Sequence, residues 1–345
     1  MTRQLIVYGE LLLQLSPNVI LNNDELILNQ YINSGTFSAV YSLKNNDDII
    51  RIQHNKVENI IKEYEINGLK LQNKLQNCKY VCKLRDYGTY KIINNNLSEE
   101  ILNNKISNMS PNIVDDEDIE DSYGYYSIME KLNLSLIERR NKMIKPSVEN
   151  FWLIKKITKQ LLEFLEISHS NNIAHLDLKH ENIMFNKYDD VRIIDFGFSC
   201  NIGSKLDIIL GTPDYIAPEH YLHRNNYEFD VYISGKEDIW ALGIIILELL
   251  LSRYIEKGCN NNEYIKLAHE FMYDKKKHLD NDIKEILTRY SSCLKDINVK
   301  NNFYDFLDML VNMLHNNPEN RFTATQCLKH PCFVIEGIVN IIKND

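Results

Sequence analysis

The sequence predicts an α+β protein built as two lobes, a small β-rich lobe followed by a larger helical one. Three observations lead there. β-Branched and aromatic residues gather in residues 29–53 and again in YVCKLRDYGTY and YYSIMEKL, which is the composition of strands. After Leu132 the texture changes to periodic or continuously apolar runs, the mark of helices. A chain of 345 residues can hold about two domains with a core each, and 44% hydrophobic with 25% charged residues is a globular composition.

Residues 1–28 read as an N-terminal extension. Their apolar start, MTRQLIVYGELLLQLSP, is broken by Glu10 and lacks a small-residue cleavage signal, so no secretory leader is expected. QYINSGTFSAVYSL then reads as two strands joined by a glycine turn, and IIRIQ follows the polar NNDD as a third. Ile60, Ile61, Tyr64, Leu69 and Leu75 among charged residues give 56–76 a helical spacing. Two more strands flank an insertion at about 92–122 that is rich in asparagine and acidic toward its end. Such a segment cannot bury a core, so it is expected to be solvated and mostly irregular, with a short helix near 97–106 left open and its ends close together.

The small lobe thus runs over 29–132 and the helical lobe over 133–335, followed by a tail at 336–345. Within the helical lobe, IWALGIIILELLL at 239–251 is shorter than the roughly 20 residues of a membrane span and carries Glu248, so a buried core helix is expected. FWLIKKITKQLLEFLEISHS and FYDFLDMLVNMLH are helical as well, and no repeat of fixed period appears. A formal net charge of −9 argues against nucleic acid or an anionic membrane surface as a partner. The cysteines at 78, 82, 200, 259, 293, 327 and 332 form no CxxC pair, which favours free thiols in a reducing, cytoplasmic setting over disulfides or a zinc site.

The chemistry is concentrated in HLDLKHEN at 175–182, where Lys179 lies between Asp177 and Asn182, and in DFG at 195–197. Phosphoryl transfer needs a carboxylate to take a hydroxyl proton, hard oxygen ligands for magnesium, and a cation near the transferred group. With these motifs the chain resembles a eukaryotic-type protein kinase, and others follow in family order. INSGTFSAVY at 32–41 resembles the glycine-rich phosphate loop and SIMEKL at 127–132 the adenine-holding hinge. GTPDYIAPE at 211–219 resembles the end of the activation segment, KEDIWALG at 236–243 the helix that anchors the catalytic loop, and NPENRFTATQCLKHPCF at 317–333 the closing helical region.

The resemblance implies a bilobal protein-kinase-like fold and a role for each matching residue. Asp177 would orient and deprotonate the substrate hydroxyl, and Lys179 would steady the γ-phosphate. Asn182 and Asp195 would hold Mg2+ on the ATP phosphates. Ile32, Val40, Ile49 and Met184 would enclose adenine, the main chain of Glu130 to Leu132 would bond it, and Met129 would stand as gatekeeper. Asn33, Gly35 and Ser38 would line the phosphate loop. Glu219 and Arg321 would pair to fix the activation segment, and Asp238 would brace the catalytic loop. Lys179 and Thr212 follow the serine/threonine pattern, so the implied partner is a protein substrate with a Ser or Thr acceptor, met by a monomeric enzyme.

Three departures qualify the resemblance. Asn33 and Ser38 stand where two of the loop glycines are usual. Arg51 aligns with the strand lysine that grips the α/β-phosphates and pairs with a helix glutamate, here Glu63 with Glu65 as the alternative, and arginine is not a conservative replacement. Lys44, toward the strand's outer end, lies too far out to substitute. Two readings follow, an active kinase and a pseudokinase or nucleotide-binding scaffold. Finally, Leu176 replaces the arginine that in many members receives an activation-segment phosphate, and Ile208 stands where the phosphorylated threonine often lies. Constitutive activity is expected, with the segment ordered by Leu206, Ile208, Ile209 and Leu210.

Overall fold

The computed structural model describes residues 4–8, 18–21, 24–34, 38–44, 47–53, 59–93, 123–206, 210–220, 231–253 and 279–333. The chain divides into two compact units, Met1–Leu69 with Cys82–Lys131, and Lys70–Val81 with Leu132–Asp345.

In the first unit seven strands form a closed sheet in the order β1-β2-β3-β4-β5-β7-β6. They are β1 (Gln4–Tyr8), β2 (Asn18–Leu21), β3 (Asp24–Ser34), β4 (Ser38–Leu43), β5 (Asp48–Gln53), β6 (Leu84–Ile93) and β7 (Tyr123–Glu130). The strands expected from QYINSGTFSAVYSL and IIRIQ are β3, β4 and β5, an antiparallel meander. The boundary at residue 29 is corrected, because β3 begins at Asp24 and β1 and β2 join the sheet, β1 running parallel to β6 with Gln4 opposite Thr89. β3 runs unbroken from Asp24 through position 29 to Ser34, so the lobe cannot start there.

Cross-strand partners share a face, so register sorts the side chains. Val40 pairs with Arg51, Ser42 with Ile49 and Ser38 with Gln53, while Ile49 pairs in turn with Met129. Ser38, Val40, Ile49, Arg51 and Met129 therefore line one face, and the fully buried Ile50 and Ile52 the other. Lys91 pairs with Tyr123, so the long insertion leaves and re-enters neighbouring strands, as its expected close ends require. The residues of that insertion from 94 to 122, including the helix considered near 97–106, lie outside the described residues, as does the tail at 336–345.

Helix α1 (Asn59–Lys74) follows the third strand of the meander. Its last turn and the residues after it group with the second unit, which corrects the single boundary drawn at 132. The cause is packing: Leu71, Leu75, Cys78, Tyr80 and Val81 join the core of the helical unit, and Val81 bridges to Ile193.

That second unit is organised by helices α2 (Leu136–Arg140), α3 (Val148–Ser170), α4 (Lys236–Leu251), α5 (Ile297–Met313) and α6 (Ala324–Leu328). Ser147 caps α3 by accepting from the Asn150 amide at 3.1 Å, and Asp296 caps α5 through the amides of Asn298 and Val299. Every residue from Glu237 to Leu251 is buried, so α4 is the central helix that its continuous apolar run implies. A Cβ on Gly243 would sit 2.7 Å from Leu314, which explains a glycine in mid-helix where α4 meets the end of α5. Among the described residues no helix is long and apolar enough to cross a membrane.

Short strands complete the unit: β8 (Leu134–Ser135), β9 (Ile173–Ala174), β10 (Ile183–Phe185), β11 (Val191–Ile193), β12 (Cys200–Asn201), β13 (Lys205–Leu206) and β14 (Val231–Tyr232). β10 and β11 make a hairpin, β12 pairs with β9, and β13 with β14. These pairings frame the loop that carries the chemistry.

Candidate active site

The loop between β9 and β10 hangs from the first turn of α4. Asp238, wholly buried, accepts from the amides of His175 at 2.9 Å and Leu176 at 2.8 Å, and meets His169 Nε2 at 2.9 Å. Burial alone would raise its carboxyl, but the hydrogen bonds from the His169 ring and the His175 amide hold it below the ordinary aspartate value. Asp238 thus ties the start of the loop to α4. His175 carries the connection further. Its Nδ1 accepts from the Asp177 amide at 3.2 Å, its Nε2 donates to the Ile194 carbonyl at 3.2 Å, and its ring lies 4.9 Å from that of Phe196.

Asp177 is the hub. Its Oδ2 accepts from Lys179 Nζ at 2.8 Å and from Asn182 Nδ2 at 2.9 Å, and its Oδ1 from the Thr212 hydroxyl at 2.7 Å and the Thr212 amide at 3.0 Å. Lys179 Nζ also donates to Thr212 Oγ1 at 2.8 Å. Asp177 is only 4% exposed, so its carboxylate is oriented by four donors with little help from water. The structure therefore brings together Asp177, Lys179, Asn182 and Thr212, four of the residues singled out from the sequence.

Asn182 and Asp195 stand at one end of the β10–β11 hairpin, joined through the Ile194 amide, which donates to the Asn182 carbonyl at 3.0 Å. The Asn182 amide nitrogen is turned to Asp177, so its amide oxygen points away from it. Asp195 adopts φ 60°, a left-handed backbone uncommon outside glycine, and accepts from the Gly197 amide at 3.3 Å. An amide oxygen and a carboxylate are hard donors of the kind magnesium takes, so this pair is chemically suited to hold the ion.

Leu176 also has positive φ, 64°, and its carbonyl would lie 2.5 Å from a Cβ on Gly211, whose own φ is 105°. Only glycine fits there. Leu176 faces a small cavity lined on one side by Leu210, Tyr215, Ile216 and Ala217 and on the other by His220, Glu237 and Asp238, so it lies beneath the GTPDYIAPE ledge. The ledge ends in a buried ion pair: Arg321 donates from both terminal nitrogens to Glu219, at 2.8 Å each, with its plane near the Trp240 ring. Of the four segment residues expected to pack, Leu210 is buried, while Ile208 and Ile209 and the side chain of Leu206 lie outside the described set.

Within the first unit Arg51 donates from Nε to the Ser38 hydroxyl at 2.8 Å and pairs through Nη1 with Glu65. This corrects the assignment to Glu63. Glu65 shares a helix face with the buried Leu69 and Gln72, whereas Glu63 shares one with Lys70 and Lys74 and is exposed. Val40 and Ile49 are half-buried and Met129 buried on the Arg51 face, while Ile32 and Asn33 are exposed and Gly35 lies outside the described residues. Glu130 commits its amide to the Lys83 carbonyl at 3.0 Å, and its carbonyl accepts from the Cys82 thiol at 3.9 Å. In the second unit Leu132 and Met184 are half-buried, and in the first Lys44 is exposed beyond the end of β4.

Sequence reasoning missed His169 and His175, whose partners lie far along the chain, and His180, which meets Glu248. Only Glu248 left a signal, as a lone carboxylate in an apolar run.

Comparison with known proteins agrees with this geometry. The model of the protein kinase domain family matches residues 27–333, and the chain belongs to that family. It is 34% identical over 182 residues to the human phosphorylase b kinase gamma catalytic chain, liver/testis isoform, covering 52% of this chain and 40% of that one. It is 32% identical over 267 residues to calcium-dependent protein kinase 5 of Plasmodium berghei, covering 74% of this chain and 45% of that one. The serine/threonine-protein kinase cds1 of Schizosaccharomyces pombe is 30% identical over 182 residues, covering 52% of this chain and 35% of that one. The chain spans less than half the length of these relatives.

Proposed function

We propose that this chain is a serine/threonine protein kinase that passes the γ-phosphate of Mg-ATP to a protein hydroxyl and needs no phosphate on its activation segment. The observation that carries the reading is Asp177, held on both carboxylate oxygens by Lys179, Asn182 and Thr212. In the reaction the substrate hydroxyl gives its proton to Asp177 as its oxygen bonds to the γ-phosphorus, and the bond from that phosphorus to the ADP oxygen breaks. Lys179 lies beside the base and balances charge on the transferred group. Asn182 and Asp195 would hold magnesium, which supplies neutralisation of the phosphate oxygens. Ile32, Val40 and Ile49 in the first unit, and Met184 in the second, would each offer apolar surface to the base of ATP.

Independence from phosphorylation is supported by what replaces the usual receiver. Leu176 is uncharged and lies under the ledge, and the segment is stitched by backbone bonds, with Ile202 N donating to Asn172 O and Gly203 N to Ile233 O, 2.8 Å each. Ser199 is fully buried with its hydroxyl on the His175 carbonyl, so it is not an accessible acceptor. Free thiols support a reducing intracellular setting. Burial pushes Cys327 up to about 12, which keeps that thiol inert.

The test is magnesium-dependent transfer from radiolabelled ATP to generic basic proteins, with phosphoserine and phosphothreonine identified in the product. Phosphatase-treated protein should keep most of its rate, and loss of nearly all of it would overturn the constitutive part. If transfer is absent but magnesium-dependent ATP binding persists, the scaffold reading replaces the kinase one. Arg51 motivates that second reading, but its two bonds suggest a site rebuilt around the guanidinium. Arg51→Lys should therefore lower kcat/KM about tenfold or more, since a lysine forfeits one charge-assisted bond of about 1.5–3 kcal/mol. A rise would mark Arg51 as a poor stand-in for lysine.

A further inference from the structure

From Ile239 to Leu251 the central helix α4 carries a single charged side chain, Glu248, and it is 1% exposed. Two effects oppose a carboxylate there. Burial strips its hydration, and the last turn of a helix presents partial negative charge. For packing alone a leucine would serve better, because apolar replacement of buried polar pairs is commonly neutral or stabilising. A group that breaks the rules of its own helix calls for a role outside packing.

Its partners suggest that role. Glu248 Oε2 accepts from His180 Nε2 at 2.9 Å and from the Tyr215 hydroxyl at 3.2 Å. His180 is 0% exposed and Tyr215 8%, with their rings edge to face at 6.4 Å. His180 lies between Lys179 and Asn182 in the loop that carries Asp177, and Tyr215 closes the turn that follows Thr212. One buried carboxylate thus ties together the two segments that supply the donors of Asp177.

We propose that His180, Glu248 and Tyr215 are positioning residues for phosphate transfer, fixing the separation of catalytic loop and ledge so that Lys179 and Thr212 reach Asp177 together. The role rests on the kinase reading above. None of the three touches the reacting groups, so their effect should fall on kcat and leave the KM for ATP unchanged.

The test uses the full chain, radiolabelled ATP and a histone acceptor, with thermal melting and Mg-ATP affinity measured in parallel. His180→Ala alone would strand a buried carboxylate and could unfold the protein, so the informative variant is the double replacement His180→Leu with Glu248→Leu. It should melt within a few degrees of the wild type, since the Tyr215 hydroxyl loses its Glu248 acceptor, and bind Mg-ATP normally, yet lose at least about tenfold in kcat. His180→Gln, which keeps a donor toward Glu248, should stay within about threefold of wild type, and Tyr215→Phe should lose about threefold or more in kcat with little change in melting. If the double variant is stable and fully active, or Tyr215→Phe matches wild type, apolar packing suffices and the positioning role is wrong. If His180→Gln falls as far as the double variant, the hydrogen bond is not the device. Wild-type protein that transfers no phosphate would instead sink the kinase reading, and this role with it.

Discussion

An Asp238→Ala protein is expected to lose about 3–5 kcal/mol of stability, because removing one partner of a buried network leaves the others uncompensated. The amides of His175 and Leu176 and the ring of His169 would all lose an acceptor that is itself wholly buried. For a domain of about 150–250 residues that is a fall of roughly 6–20 °C in Tm. Asp238→Asn, which keeps one acceptor oxygen, should fall less. An Asp238→Ala melt within a degree or two of wild type would mean that the loop is held by other contacts. The pH dependence has a definite sign. The folded carboxyl is held below its ordinary value, so its contribution is full above the unfolded value of about 3.9 and is lost as pH drops through the depressed folded value. The gap between wild type and Asp238→Ala should be constant near neutrality and close only in acid.

Asp177→Ala should reduce kcat by about 10²–10⁴-fold, the usual contribution of a positioned general base. Magnesium-dependent ATP binding should persist, since Asn182 and Asp195 remain. Residual activity within threefold of wild type would remove Asp177 from the mechanism. Loss of Mg-ATP binding along with the rate would show that the variant has lost more than its base. The two aspartates are thus separable: one variant fails mainly in melting, the other mainly in turnover.

Local pattern made most of the sheet and the helices legible. Alternation in IIRIQ marks Arg51 and Ile49 as sharing a face, and a continuous apolar run marks α4 as central. Glu65 was legible too, for it stands four and seven residues before Leu69 and Gln72, while the same count from Glu63 reaches Asn67 and Lys70. What stayed hidden depends on contacts between distant segments. Nothing near Gln4 announces that its strand will lie parallel to one passing through Thr89. Nothing near Tyr80 shows that residues 70–81 belong with the helical unit, because that follows from a hydrogen bond to Glu163 and packing under α3. The same is true of His180, whose surroundings in HLDLKHEN read as a solvated loop until Glu248 is brought to it.

The closure of the seven-stranded sheet bears on how this unit meets other proteins. An open sheet ends in rows of unpaired N–H and C=O groups, and these recruit strands from peptides, from copies of the same chain, or from misfolded neighbours. Here β2 covers the side of β3, and β1 covers the side of β6. Strands β1 and β2 therefore seal Asp24–Ile27 of β3 and Thr89–Ile93 of β6, while Gln30–Ser34 and Leu84–Gly88 pair on one side only. Recognition at the sealed stretches runs through side chains and loops, where specificity can be tuned residue by residue, and the same seal guards those stretches against self-association.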